Sequence, residues 1–369
     1  MTDLTQYRTL GRSGLAVSPL ALGTMTFGTA RWGSDEAASR AVFDAYVNAG
    51  GNFIDTADVY SSGRSEEMVG TFIADAALRD RTVIGTKAGF ATGRPLQGGN
   101  GAKHLNMSLD ASLRRLRTDY IDFYWLHVWD GVTPAEELLE TMAQMVRWGR
   151  IRYWGLSNTP AWLVAKLATL AQVRGLPGPI AMQYFYSLAN RDIEEEHMPV
   201  AAEFGLGMMP WSPLAYGLLA GKYDRKTVEA ASPRTAGLPR DAATNRAQRP
   251  EDDKRLDGAN PFGDSLFTPA NWEIVDVLRQ VATALGETMA NVALAWVLGR
   301  RGVISTLMGV SRAEQVGSNM GALGMTLPAE ARARLDQVSA GIPRMLYTLF
   351  QPALRQHVVH GANVKGWHD

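Results

Sequence analysis

The sequence predicts an α/β protein, a closed (β/α)8 barrel of the TIM type with an N-terminal hairpin in front of it. Three observations lead there. Short β-rich apolar runs alternate with amphipathic helical patterns, eight such runs can be counted, and they recur at spacings of about 25 to 35 residues with one long interruption. The rival arrangement is an open doubly wound sheet, which would carry G-x-G-x-x-G after its first strand; no strand here is followed by that turn.

A Gly-punctuated stretch from Tyr7 to Val17, turning at Gly11 to Gly14, reads as the hairpin. The eight barrel strands are expected at Leu20 to Gly23, Asn52 to Asp55, Thr82 to Lys87, Tyr120 to Leu126, Ile151 to Ser157, Ile180 to Tyr184, Gly207 to Trp211 and Val303 to Met308. Helix starts are marked by Ser34 before Asp35 and Glu36, by Ser65 before Glu66 and Glu67, by a capping box at Thr133 to Glu136, and by Thr159-Pro160. Gly50, Gly149 and Gly175 mark helix ends. The long interruption, residues 224–269, mixes Pro233, Pro239, Pro250 and Pro261 with scattered charges and reads as an inserted loop over the barrel mouth, either a lid or a surface excursion. Helices from Ala270 to Leu285 and Thr288 to Gly299 restore the repeat, and another is expected from Pro328 to Ser339. One barrel domain thus accounts for residues 1–369, with an irregular tail at 341–369 placed over the mouth. Met345, Leu346, Tyr347, Leu349 and Phe350 give that tail an apolar cluster too hydrophobic to be left in water, which is expected to pack either over the mouth or against the outer helices.

The 369 residues are 46% hydrophobic and 20% charged, enough to bury a large core. Lys plus Arg and Asp plus Glu each number 37, so no net field draws the chain to nucleic acid or an anionic membrane. The absence of cysteine removes disulfides, thiolate nucleophiles and thiolate metal sites together. Residues Met1 to Tyr7 lack the plan of a signal peptide, and the longest apolar run, Val292 to Leu298, is far short of the ~20 residues that span a bilayer. A cytoplasmic protein with no membrane partner is the expectation.

Barrel chemistry sits at the C-terminal ends of the strands. Here those ends carry Asp55 with Tyr60 in the loop beyond it, Lys87, His127, the pair Ser157-Asn158, and Gln183. Core packing does not explain a polar group at so many tips. An acid, an amine, an imidazole and a phenol form a proton-transfer set. A single His and a single Asp are too few to hold a catalytic metal, so none is expected. Neither G-x-S-x-G nor H-E-x-x-H occurs.

Six local motifs carry a resemblance: Leu22-Gly23-Thr24-Met25, the run Asn52 to Tyr60, Gly85-Thr86-Lys87, the run Asp122 to His127, Gly155-Leu156-Ser157-Asn158, and Trp211-Ser212-Pro213-Leu214. Their content and order, over roughly residues 7 to 340, resemble the aldo-keto reductases. The resemblance implies a monomer or weak homo-oligomer that uses NADPH to reduce an aldehyde or ketone, with Tyr60 as proton donor and Asp55, Lys87 and His127 completing a tetrad. An ammonium at Lys87 would favour the phenolate of Tyr60, whose free pKa is about 10, and Asp55 would hold that ammonium.

The same resemblance places Thr24, Met25 and Asp55 beside the cofactor and gives Ser157, Asn158 and Gln183 to the nicotinamide carboxamide. Trp211 matches the family's aromatic that stacks on the nicotinamide ring. Ser212, Leu214 and Gly217 to Lys222 resemble the segment that wraps the pyrophosphate. Gly309, Ser311, Arg312, Gln315 and Asn319 resemble the part that holds the 2′-phosphate and adenine. Ser318 departs from the family, which commonly has an acidic residue there. Two other functions stay open: the same chemistry run as a secondary-alcohol dehydrogenase, and a cofactor-binding partner subunit like the potassium-channel β subunits that resemble this family.

Overall fold

The hairpin pairs β1 (Arg8–Thr9) with β2 (Ala16–Val17) in antiparallel register. In the computed structural model, which describes residues 4–30, 32–93, 96–231, 256, 263–341, 344–351, 354–362 and 364, it stoppers the lower end of a barrel. Leu10 and Val17 are fully buried among the barrel's inward side chains. Arg12 N donates to the Gly205 carbonyl at 2.8 Å. Gly11, at φ +60°, lies so close to the Ile180 carbonyl that any Cβ would collide with it.

Eight parallel strands form the barrel: β3 (Leu20–Gly23), β4 (Phe53–Asp55), β5 (Val83–Ala88), β6 (Ile121–Leu126), β7 (Ile151–Ser157), β8 (Ala181–Phe185), β9 (Gly207–Trp211) and β10 (Thr306–Gly309). Each pairs with its successor from β3 to β9, and β10 pairs back onto β3. A bridge between Met208 and Val303 brings β9 and β10 together. The strands lie within a residue or so of expectation except the last. There Val303 and Ile304, apolar enough to read as strand, make only that bridge, and the ladder proper starts at Thr306.

Alternation along the strands sorts the core into two layers. Phe53, Phe123, Trp125 and Met209 fill the interior, while Leu22, Ile54, Tyr124, Leu126 and Trp154 face the helices. Those helices are α1 (Glu36–Asn48), α2 (Arg64–Asp75), α3 (Ala102–Leu116), α4 (Ala135–Arg147), α5 (Ala161–Arg174), α6 (His197–Phe204), α7 (Arg225–Ala231), α8 (Gly263–Leu266), α9 (Pro269–Leu285), α10 (Met289–Leu298), α11 (Glu314–Met320) and α12 (Ala329–Val338). No single helix among the described residues is long and apolar enough to cross a membrane.

Three expected caps are not caps. Asp35 rather than Ser34 caps α1, accepting from the Ala38 amide at 2.8 Å. Ser65 lies inside α2, its hydroxyl bonded to Thr24 at 2.8 Å. The Thr133 hydroxyl donates to Asp130 at 2.6 Å, leaving Pro134 to open α4 without a side-chain cap. In each case a nearer or tertiary partner took the hydroxyl that the local pattern assigned to the helix. Most of the inserted loop, residues 232–255 and 257–262, lies outside the described residues. Within it Leu256 is buried, its amide donating to the Tyr223 hydroxyl at 2.9 Å.

The chain divides into two units, Met1–Ser339 and Ala340–Asp369. The second is less irregular than expected: it holds α13 (Met345–Thr348) and a π-helical turn at Arg355–His360. Tyr347 and Phe350 meet edge to face at 6.0 Å, and Met345, Leu346, Leu349 and Phe350 are exposed.

Candidate active site

Asp55 ends β4 and Lys87 lies in β5, and the register of the two strands joins them. Asp55 pairs with Gly85, so Lys87, two residues on, projects from the same face one step higher. Gly85 leaves the intervening space open: a Cβ there would stand 3.1 Å from the Phe53 ring and 3.4 Å from Asp55 Oδ1. Lys87 is fully buried. Its ammonium donates to Asp55 Oδ2, to the Thr56 carbonyl at 2.7 Å and to the Tyr60 hydroxyl at 3.2 Å. An ammonium has three protons, and all three are placed. Burial works against the charge of Lys87, but Asp55 and Tyr60 outweigh it and its pKa ends above the ordinary value.

Tyr60 is half-buried and opens a tight turn, Tyr60–Gly63. Ser61 at φ 48° and Ser62 at φ 56° are left-handed, as is Gly63 at φ 92°. For a non-glycine residue that conformation costs roughly 1 to 2 kcal/mol. His127 follows β6, its amide donating to the Ala88 carbonyl at 2.8 Å. The imidazole ring lies edge-on to Tyr60, centroids 5.9 Å apart. Burial, and then the Lys87 charge, holds its pKa well below the ordinary value, so the ring is neutral at physiological pH.

A second tier joins this group from β7, β8 and β9. Gln183 Nε2 donates to Asp55 Oδ1 at 3.1 Å. The Ser157 hydroxyl donates to the Gln183 carbonyl at 2.8 Å. Asn158, left-handed at φ 47°, donates through Nδ2 to the His127 carbonyl at 2.9 Å and receives Trp211 Nε1 at 3.3 Å. Trp211 lies at the end of β9 with Phe185 and Tyr216 around it. Thr24 reaches the same place from β3, its amide and hydroxyl donating to the Asp55 carbonyl at 3.0 and 3.2 Å. Met25 follows it, 39% exposed.

The remaining expected residues lie on two neighbouring segments. Ser212 and Leu214 lead from β9 into the turn Ala215–Ala220, where Gly217 at φ +97° lets the Lys222 stem fold across it; a Cβ on Gly217 would stand 2.9 Å from Lys222 Cδ. Lys222 is exposed, and its pKa is lowered by partial burial and then by the charge of Arg312. The charges of two cations from different segments therefore oppose one another. Gly309 ends β10 beside Gly23 of β3, while Gln315 and Asn319 are one turn apart on α11. The amides of Ser311 and Arg312 both donate to Gln315 Oε1, at 2.9 and 3.2 Å.

A sequence model of the Aldo/keto reductase family matches residues 19–340. The chain belongs to the aldo/keto reductase family. It is 34% identical over 338 residues to a probable voltage-gated potassium channel subunit beta from Oryza sativa subsp. japonica, covering 91% of this chain and 96% of that protein. It is 32% identical over 349 residues to norsolorinic acid reductase from Aspergillus flavus, covering 91% and 81%. It is 29% identical over 382 residues to an NADP(+) aryl-alcohol dehydrogenase from Phanerodontia chrysosporium, covering 98% and 93%.

In this aldo/keto reductase barrel the structure adds side chains that the sequence reading missed. Phe90, 40% exposed, stands edge-on to His127 at 4.4 Å, and Trp129 meets Trp162 edge to face at 5.7 Å. The signal was their position, three residues beyond Lys87 and two beyond His127, past two of the strand ends already singled out. Asp58 is another omission. It is buried, neither carboxylate oxygen meets a donor in hydrogen-bond geometry among the described residues, and it faces Glu66 from α2, Arg115 and Ser108 from α3, Tyr124 from β6 and the Val59 amide. Burial, and next the like charge of Glu66, pushes its carboxyl up to about 7, against the pull of Arg115.

Between the ordinary carboxylate range and that value, the native protein holds a proton that the unfolded chain has released. Stability therefore falls as pH rises through this window, by about 1.4 kcal/mol per pH unit, and levels off above it. Asp58→Asn should abolish that slope and raise the melting temperature at about pH 8 relative to the parent protein. Thermal denaturation at several pH values checks this, and an unaltered slope would assign the titration to another group.

Proposed function

We propose that the chain is an NADPH-dependent carbonyl reductase that converts an aldehyde or ketone to the alcohol, with Tyr60 as the proton donor. The observation that carries the reading is the third N–H of the buried Lys87 ammonium, directed at the Tyr60 hydroxyl while the other two are held by Asp55 and the Thr56 carbonyl. A phenol in that position gives up its proton to a carbonyl oxygen more readily, because the nearby positive charge stabilises the phenolate left behind. Neutral His127, edge-on to Tyr60, orients the carbonyl without competing as a charge.

The residues present fit a nicotinamide dinucleotide. Trp211 offers a ring face at the barrel rim. Asn158 brings its amide to it, Gln183 holds its own amide on Asp55, and Lys222 with Arg312 supplies two cations whose opposed charges a phosphate would relieve. When bound, that group exchanges a hydride with the substrate carbon, and the task of the chain is to hold carbon and oxygen in place. Phe90 and Trp129 lend flat apolar surface to the same end of the barrel, which favours aryl carbonyl substrates. The similarity to a protein named as an NADP(+) aryl-alcohol dehydrogenase supports both points and leaves the direction of the reaction to cofactor ratios. A binding role is favoured by the similarity to the channel subunit, and turnover assays decide between the two.

Arg312→Ala should weaken NADPH more than NADH, because only the former presents a 2′-phosphate. Fluorescence titration of both cofactors tests it. Equal losses would show that Arg312 does not read that phosphate.

A further inference from the structure

Three consecutive left-handed residues follow Tyr60, and a turn of that kind persists only where its surroundings impose it. One constraint comes from the loop after β3: the Ser61 hydroxyl donates to the Phe27 carbonyl at 2.9 Å. The other arrives from α3. The Arg115 side chain lies across Gly63 so closely that a Cβ there would stand 2.9 Å from both its Cδ and its Nε.

Arg115 is itself fixed. Its Nε and Nη2 both reach Glu66 Oε2 at 2.6 Å, and Glu66 is completely buried. The other oxygen of Glu66 accepts the Thr86 hydroxyl at 2.6 Å. Thr86 immediately precedes Lys87. A continuous set of contacts therefore runs from the turn that carries Tyr60 to the strand that carries Lys87, passing behind the site and touching none of the tetrad. An ion pair whose carboxylate is buried is a poor source of stability compared with apolar side chains of similar volume, whereas its two-pronged geometry fixes position well.

We infer that the Arg115–Glu66 pair is a positioning clamp, holding the Tyr60 turn at hydrogen-bonding distance from Lys87. Its functional meaning rests on the reading of Tyr60 as proton donor. The clamp predicts that Arg115→Met lowers kcat for an aryl aldehyde by about 10- to 100-fold while KM and NADPH affinity stay at parent values, since a misplacement of the order of an ångström is enough for that loss. Arg115→Lys, which keeps the charge but loses the fork, should fall between the two. Independently of activity, hydrogen exchange in the cofactor-free protein should quicken at the amides of Tyr60 and Ser62 in Arg115→Met and remain unchanged in β5.

Should Arg115→Met not fold, Glu66→Gln, which retains an acceptor for Thr86 and weakens the hold on Arg115, takes its place with the same expected pattern. Parent exchange at Tyr60 and Ser62 with parent kcat would overturn the clamp. So would a variant in which kcat, cofactor affinity and melting temperature decline together, because that is the mark of a merely structural residue. If Tyr60→Phe proved fully active, the proton-donor reading would fail by itself, and the exchange measurement would still decide whether the clamp holds the turn.

Discussion

Tyr60→Phe is expected to cut turnover of a carbonyl substrate by about 10²- to 10⁴-fold, the usual worth of a positioned general acid, and to leave NADPH affinity at its parent value. The substitution removes one oxygen and its proton. It leaves the ring in its edge-on contact with His127 and does not touch Trp211, Lys222 or Arg312, where the cofactor reading lies. Steady-state rates and a cofactor titration on the same preparation separate the two effects. A loss smaller than about tenfold would mean that another group delivers the proton.

Lys87→Met should be as damaging to turnover and, unlike Tyr60→Phe, damaging to the fold. The ammonium is wholly buried and placed on Asp55, the Thr56 carbonyl and Tyr60. Removing it leaves a buried carboxylate without its counter-charge, a change that costs about 3 to 5 kcal/mol. Burial already raises the Asp55 carboxyl against the pull of Lys87 and of the Gln183 amide. With Lys87 gone, the native state would bind a proton that the unfolded chain has lost, so the variant should lose stability as pH rises and recover part of it in acid. Adding Asp55→Asn should restore most of the stability but none of the turnover. Denaturant melts of the single and double variants test this, and a single variant as stable as its parent would contradict the account of the pair.

What could be read in advance follows the range of the interactions involved. The strand run Asn52 to Asp55 ends an apolar stretch on a carboxylate, and the run ending at His127 does the same with an imidazole; local pattern and strand polarity suffice to bring these ends to one face of a barrel. Ser65 and Thr133 misled because a capping signature is local, while their hydroxyls bond Thr24 and Asp130. Val303 and Ile304 misled because apolar character does not reveal where a ladder begins. The Arg115 contact with Gly63 had no signal at all: it joins residues far apart in the chain, and nothing in the spacing announces that an arginine on α3 will cross the turn after Tyr60. Lys222 and Arg312 were each legible as cofactor residues, but the opposition of their charges matters only once two loops are adjacent.

The buried Asp55–Lys87 pair and Tyr60 are proposed to make this chain a catalyst of carbonyl reduction rather than a holder of cofactor. Single-turnover mixing of the protein, loaded with one equivalent of NADPH, with a set of aryl and aliphatic aldehydes and ketones tests it most directly, following cofactor oxidation and alcohol formation together. The account predicts that NADPH is consumed and alcohol appears in equal amounts, fastest with aryl carbonyls, and that both signals collapse in Tyr60→Phe with the cofactor still bound. Tight NADPH binding with no oxidation by any carbonyl, in a protein whose tetrad is intact, would contradict it.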